Sequence, residues 1–352
     1  GPSSGMEYPM VINSNQGAAD HETGHQWWPM MLGTNETRYG WMDEGINTFN
    51  ENRYQETKYP GRGIDLGIPP GLMGKAGLDK YGARGVYDMG YEFNARRNYD
   101  QPLSYSSEKF TSMNYGGLVY GKTAIGLDFM LDYLGSAVFD STMHAYFQEW
   151  KFKHPQPADI RKIFEEKTGK DLSWFFDDFI KTTKKIDYAI TGSKRDSDKV
   201  VLTLKNLGQI KAPIQIIALK SGDTLEIKWI DGFEGSTTVS FSALDADKYV
   251  IDHNLQMPDI NRKNNQIKGS GILKTVEPLR LEFLASYEKP DRTTIYFAPT
   301  LGWNDQDKFM VGLALYNTTL PEKKFEWLLN PMYAFGTKSP VGTANINYNI
   351  YP

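Results

Sequence analysis

Apolar residues along this chain follow two rhythms, and the change falls near residue 186. Before it they recur every three to four positions, the spacing of one buried helix face; after it they alternate with polar residues, the spacing of a half-buried strand. Residues 5–12 (GMEYPMVI) read as a short strand. The helix that follows carries His21, Glu22 and His25, with Trp27 and Trp28 as packing residues. A second helix, residues 43–57, sets Ile46, Phe49 and Arg53 at helical spacing and turns an apolar stripe to the core. Between the two, Pro29 cannot extend a hydrogen-bond ladder, Gly33 suits a left-handed helix end and Gly40 punctuates the return. Residues 58–112 show little periodicity and read as loops and short helices bordering a cleft. From Gly116 the helical period resumes, with Ile125, Phe129 and Leu131 to Leu134 on a buried face and Gly135 as the stop; helices alternate with turns through residues 139–186.

Beyond residue 186, five runs (KVVLTLKN, PIQIIALK, TLEIKWI, STTVSFSA and KYVIDHN) are separated by turn residues, the signature of a small β-sandwich over 187–260. Residues 261–271 (NRKNNQIKGSG) are polar and glycine-rich and read as a linker. Residues 272–352 hold longer alternating strands. In the last, Gly342, Ala344, Ile346, Tyr348 and Ile350 oppose Thr343, Asn345, Asn347 and Asn349; in FEWLLNPMYAF, Phe325, Trp327, Leu329, Tyr333 and Phe335 share a face. Two readings of this antiparallel region stand side by side: the beginning of an outer-membrane-type barrel, or a sheet in a soluble third domain. The expected architecture is multidomain α+β, with a mainly helical domain over 1–186.

Composition narrows the chemistry. The 352 residues carry a net charge of −4 with acids and bases mixed, so neither nucleic acid nor an anionic surface is indicated as partner. Cysteine is absent, which leaves His and carboxylate side chains as the ligands for any zinc. No run of eighteen apolar residues occurs, so no membrane-spanning helix is expected.

His21 and His25 are four apart and stack on one helical face, with Glu22 in the same patch. Two imidazoles and a carboxylate make a three-ligand zinc set with a fourth position open to water. Glu44 supplies the carboxylate after eighteen intervening residues, enough for a helix to end, turn and return. Asp20 and Asp43 adjoin ligand positions and read as solvated acids at helix starts. His144, His154 and His253 read as structural.

HExxH at His21 to His25, Glu44 within WMDEG, and GMEYP at Gly5 to Pro9 together resemble the aminopeptidase N-type zinc metallopeptidases, the gluzincin group marked by HExxH-x(18)-E. The likeness covers the chain to about residue 186 and, more loosely, the strands after it. It implies a thermolysin-like catalytic domain followed by an immunoglobulin-like sandwich. It also implies one zinc ion on His21, His25 and Glu44, with Glu22 as general base. Tyr120, in VYGKTA, matches the family's oxyanion-stabilising tyrosine, with Tyr115 in reserve. Glu7 matches the residue that grips the substrate's α-amino group, and Gly5 and Met6 share its strand. The expected activity is release of N-terminal residues from peptides. The alternatives are a zinc endopeptidase indifferent to a free N-terminus, and a non-catalytic envelope or assembly protein with a structural zinc. The strand-rich end favours the periplasm or outer membrane of a bacterial-type envelope, the cytoplasm being the alternative, and leaves the oligomeric state open.

Overall fold

The computed structural model describes residues 5–60, 83–318 and 321–351. These fall into two compact units, one holding residues 5–60 and 83–275 and the other 276–351. The expected cleft loops within 61–82 lie outside the described residues.

The first unit opens with an antiparallel pair, β1 (Met6–Tyr8) and β2 (Val11–Asn13), in which Glu7 faces Ile12. Helix α1 (Ala19–Gly24) follows, and the chain winds through a wide π-type turn, Gln26–Met31, broken at Trp28. A second wide turn, Trp41–Gly45, runs directly into α2 (Ile46–Lys58). Ile46 and Phe49 are fully buried, as their spacing predicts. The Arg53 guanidinium lies 5.4 Å from the Phe49 ring centroid and pairs with Asp140 at 2.7 Å, so its stem extends the apolar stripe to the surface.

Helix α3 (Ala83–Ala95) is longer than the short pieces expected there. Its two glycines suppress helical propensity in the sequence, although the helix forms and Gly90 faces the Cα of Gly117. A wide-wound segment, Tyr115–Lys122, leads into α4 (Thr123–Leu134), which stops at Gly135 with φ 79°. On α4, Ile125 and Phe129 are buried while Leu131 to Leu134 are half-buried. Helices α5 (Ser136–Trp150) and α6 (Pro157–Thr168) follow, and a wide-wound segment, Trp174–Phe179, completes the helical part.

The strands after residue 186 build two sheets. One has the order β3 (Tyr188–Asp196), β4 (Lys199–Asn206), β7 (Ser236–Phe241). The other runs β6 (Asp223–Ile230), β5 (Ile214–Lys220), β8 (Lys248–Ile251), β9 (Gln266–Lys268). Their inner faces meet through buried Leu202, Leu204, Ile214 and Ile216, with the rings of Phe241 and Tyr249 5.3 Å apart. Residues 261–271 are not a linker. β9 pairs with β8, and Arg262 is buried with its guanidinium on Glu92 at 3.0 Å and Asp88 at 3.4 Å. Polar composition there reflects a buried ion pair with α3 rather than solvent exposure, because buried charges persist where they are paired.

The second unit is a five-stranded sheet in sequence order: β10 (Leu279–Phe283), β11 (Thr293–Asn304), β12 (Lys308–Tyr316), β13 (Phe325–Ala334) and β14 (Ser339–Tyr348). All neighbours are antiparallel except β10 and β11, which run parallel. The expected antiparallel region therefore holds for four of its five strands. Residues 284–292 carry the chain back to permit the parallel pair. Taken together, the chain is an α+β protein of more than one unit.

Candidate metal centre

One turn of α1 separates His21 from His25, whose backbone N–H still bonds to the His21 carbonyl at 3.2 Å, so both rings leave the same face. Their centroids are 4.7 Å apart. Glu44 comes in from the wide turn ahead of α2, held beside α1 by Asn47, whose amide donates to the His21 carbonyl at 2.8 Å. Gly24 lets that contact form, since a Cβ there would lie 2.2 Å from Asn47 Oδ1.

The result is a triangle. His21 Nε2, His25 Nε2 and Glu44 Oε2 are each 3.1 Å from the other two. A tetrahedral zinc with bonds of about 2.0–2.1 Å keeps its ligand atoms roughly 3.3 Å apart, so the triangle matches that ion closely. The proton positions argue the same way. His21 Nδ1 donates to Glu51 Oε2 at 2.9 Å, and His25 Nδ1 donates to the Trp28 carbonyl at 2.8 Å, with Asp43 Oδ1 3.0 Å away. Both partners are acceptors only, which fixes the Nδ1–H tautomer and turns two Nε2 lone pairs toward each other. Two lone pairs and a carboxylate oxygen at 3.1 Å repel unless a cation sits among them. The electrostatics agree: burial lowers the affinity of His21 for a proton, but Glu44 and Glu51 overcome it and raise its pKa to about 9. For His25, burial is likewise outweighed by Asp43 and Glu44. Burial alone would raise Glu44, yet the two imidazoles and Tyr120 hold it well below the usual carboxylate range. Positive charge is favoured at this point.

The triangle opens on a cavity of about 690 Å³, lined by Gly5, Met6 and Glu7 from β1, by Glu22, and by Tyr115 and Tyr120. Glu22 is buried, and its Oε2 has no hydrogen-bond partner in the protein, an expensive arrangement outside a working site. Burial raises its pKa, the imidazoles pull it down and Glu7 and Glu44 push it up again, with a net rise. A Cβ on Gly5 would fall 2.1 Å from Glu22 Oε1, so only glycine lets β1 pass this carboxylate. Glu7 is buried, with a carboxylate oxygen within 4.8 Å of a His25 ring nitrogen and an Asp43 oxygen. The Tyr120 hydroxyl donates to Glu44 Oε1, and its ring stacks on His21 at 5.8 Å. Burial and the neighbouring carboxylate drive its pKa up, which keeps the phenol a proton donor. Tyr115 lies edge-on to Tyr120 at 5.8 Å.

The structure thus brings His21, Glu22, His25, Glu44, Tyr120, Glu7, Gly5 and Met6 to one cavity. His144 and His154 are elsewhere: His144 accepts from the Gln148 amide on α5, and His154 Nδ1 donates to the Gly33 carbonyl at 2.8 Å. His253 sits in the turn after β8. Asp43 corrects the sequence reading, being buried against His25 rather than solvated. Glu51 escaped that reading altogether. Its signal was present: seven residues beyond Glu44, it lies two turns along the same helix face. Glu36 also lines the cavity and was not singled out.

A helix-borne pair of imidazoles, a carboxylate from the turn ahead of the next helix and a buried acid beside an open cavity form a donor set of the kind that hydrolytic metal centres use. Residues 10–179 match the model of the Peptidase family M1 domain. Over those residues the chain is similar to this family of metallopeptidases, and to its aminopeptidase N-type group. Aminopeptidase N of Lactococcus lactis subsp. lactis is 22% identical over 208 residues, 56% of this chain and 23% of the relative, so the chain spans about a quarter of that protein's length. Among solved structures, aminopeptidase A of Legionella pneumophila in complex with aspartic acid shows 17% identity and a TM-score of 0.47, over 68% of this chain and 26% of that one. An M1 zinc metallopeptidase mutant of Deinococcus radiodurans bound to a Tyr-Ser-Ala substrate shows 15% identity and a TM-score of 0.37, over 51% and 37%.

Proposed function

We propose that the chain is a zinc-dependent aminopeptidase that releases N-terminal residues from peptides. The observation that carries this reading is the convergence of two Nε2 lone pairs and one carboxylate oxygen, 3.1 Å apart, on a cavity that also holds Glu22 and Glu7. The family match over residues 10–179 and the likeness to Aminopeptidase N support it. The helical part is read as thermolysin-like and the seven-stranded sandwich as immunoglobulin-like, on the same resemblance.

His21, His25 and Glu44 would hold one zinc ion, which would supply Lewis acidity toward the scissile carbonyl and water. Glu22 takes the proton of the attacking water at its unpartnered Oε2 and returns it to the leaving amine. The Tyr120 hydroxyl donates to the oxygen of the carbonyl as negative charge builds there, an interaction that strengthens toward the transition state. Glu7 pairs with the protonated α-amino group, placing the first peptide bond over Glu22 and selecting unblocked peptides. Metal analysis combined with a panel of aminoacyl fluorogenic substrates, free and N-acetylated, tests this. One zinc per chain and turnover of the free substrates alone is the expected result. Equal cleavage of acetylated peptides would make the chain an endopeptidase, and zinc without turnover would make the metal structural.

A further inference from the structure

The five-stranded sheet of the second unit segregates its side chains in an unusual way. Register across β11 and β12 places Phe297 opposite Leu315, Pro299 opposite Leu313, Leu301 opposite Val311 and Trp303 opposite Phe309. The same face continues onto β13 and β14, where Trp327 opposes Ile346, Leu329 opposes Ala344 and Phe325 opposes Tyr348. On β10 it is completed by Leu281 beside Ile295. No ionisable side chain of the strands lies on this face except the tyrosine hydroxyls. Yet it is open: Leu301 is 74% exposed, Trp303 66% and Ile346 68%. In a water-soluble sheet such positions are the ones that fold inward.

The opposite face mixes small and polar residues with a few apolar ones: Ala298 opposes Ala314, Thr300 opposes Gly312, and Asn345 and Asn347 stand on β14, with Met310, Met332 and Leu328 among them. This is the face the chain covers. Residues 284–292 run across it, with the Tyr296 hydroxyl donating to the Ser286 carbonyl at 3.1 Å, the Tyr316 hydroxyl donating to the Leu284 carbonyl, and Lys323 3.5 Å from Glu288. A cavity of about 540 Å³ on this side is bordered by Asn317, Glu326, Thr343 and Asn345. The fold therefore spends its own chain on the polar face and leaves the apolar one bare.

We propose that the apolar face of this sheet lies against the hydrocarbon of a lipid bilayer, so that the second unit anchors the chain to a membrane. The charge pattern is complementary to hydrocarbon, since Arg280, Glu282 and Glu326 are on the other face and Lys308 stands at the rim, its ammonium 6.0 Å from the Trp303 ring centroid. The banding of the face matches a slab with two interfaces. Aromatic rings mark one end at Trp303, Phe309 and Phe335, with Tyr333 one row in, and the other at Phe325, Trp327 and Tyr348, with Phe297 one row in; Leu, Val, Pro and Ala fill the rows between. Interfacial aromatics flanking an aliphatic band are what lipid-facing strands carry. From Phe325 to Phe335 a strand advances about 33 Å at about 3.3 Å per residue, and a tilt of about 40° leaves about 25 Å, the height of a membrane-facing apolar band. A second copy stacked on the face would also hide it, but gives no reason for rings at both rims or for a polar side covered by the chain itself.

Flotation of the full chain with vesicles of phosphatidylethanolamine and phosphatidylglycerol, part of it bearing brominated acyl chains, tests this. The chain should float and resist removal by high salt. Its fluorescence should be quenched, and in W303F/W327F the quenched fraction should vanish while flotation persists. Leu301→Arg, at a side chain already exposed in water, should weaken partition at least about thirtyfold. A chain that stays at the bottom of the gradient overturns the proposal. So does quenching unchanged in W303F/W327F, or a lipid-free dimer that Leu301→Arg splits without any flotation of the parent.

Discussion

The metal centre and the terminal sheet break the same rule in opposite directions. Around α1, charged and polar side chains are buried: Glu7, Glu22, His25, Asp43 and Glu44 are all nearly inaccessible. In the five-stranded sheet, leucines and aromatics stand in the open. Buried polar groups are costly unless satisfied, and bare apolar faces are rare in soluble proteins. Each inversion points to something that completes it, a cation among the carboxylates and imidazoles in one case and hydrocarbon in the other. The sandwich shows the ordinary outcome between them, with alternation like that of the terminal sheet but its apolar face covered by a second sheet. Alternation tells which residues share a face; it does not tell what covers that face.

Perturbing the buried polar groups should separate those that work from those that merely survive burial. Glu22→Gln keeps shape and removes the proton acceptor, so turnover should fall by about 10³–10⁴ while zinc content is unchanged; steady-state rates with metal analysis read this, and wild-type turnover would remove Glu22 from the role. Tyr120→Phe should lower kcat by about 10²–10³ with little change in KM, because the phenol serves charge that appears only on the way to the transition state; an effect confined to KM would contradict it. Glu51→Gln weakens the acceptor behind His21 and should reduce zinc affinity about tenfold, measured by competition with a chelator, with activity restored by excess zinc.

The smallest effect is expected away from the site. Lys122 is fully buried, 4.7 Å from the Phe179 ring centroid, and burial pushes its pKa down to about 7, only partly opposed by Asp100. A lysine held below its unfolded value destabilises the fold as pH drops from about 10.4 toward 7, with the full penalty present below about 7. Lys122→Met should therefore raise Tm at pH 7 by about 1–3 °C, the shift that roughly 1–2 kcal/mol makes in a protein of this size. It should also flatten the rise in stability between pH 7 and 10; thermal scans across pH check both, and a lowered Tm would show that the cation–ring contacts outweigh burial.

Legibility in the sequence followed how local the determinant was. His21, Glu22 and His25 share one helical turn and Glu44 returns after a short connection, so spacing alone predicts their meeting. The layer behind them is harder: Trp28 contributes a backbone carbonyl, which any residue could supply, and Glu51 is recognisable only once α2 is known to extend from Glu44 unbroken. Helix α3 was masked by Gly85 and Gly90, whose low helix propensity is overridden by the packing of residues such as the buried Tyr91 and Ala95. Residues 261–271 looked like a linker because a buried Arg262 reads as polar until its partners Asp88 and Glu92, some 170 positions away, are placed beside it. The alternation of the terminal sheet was plain in the sequence, while the early end of β10 at Phe283 and its parallel pairing were not, since direction leaves no mark on periodicity.

The account stands most directly on a zinc-edge anomalous diffraction measurement from crystals of the intact chain. It predicts one peak within bonding distance of His21 Nε2, His25 Nε2 and Glu44 Oε2, on the side that faces Glu22. No peak there, or a peak with Glu44 turned away from the two rings, would contradict it.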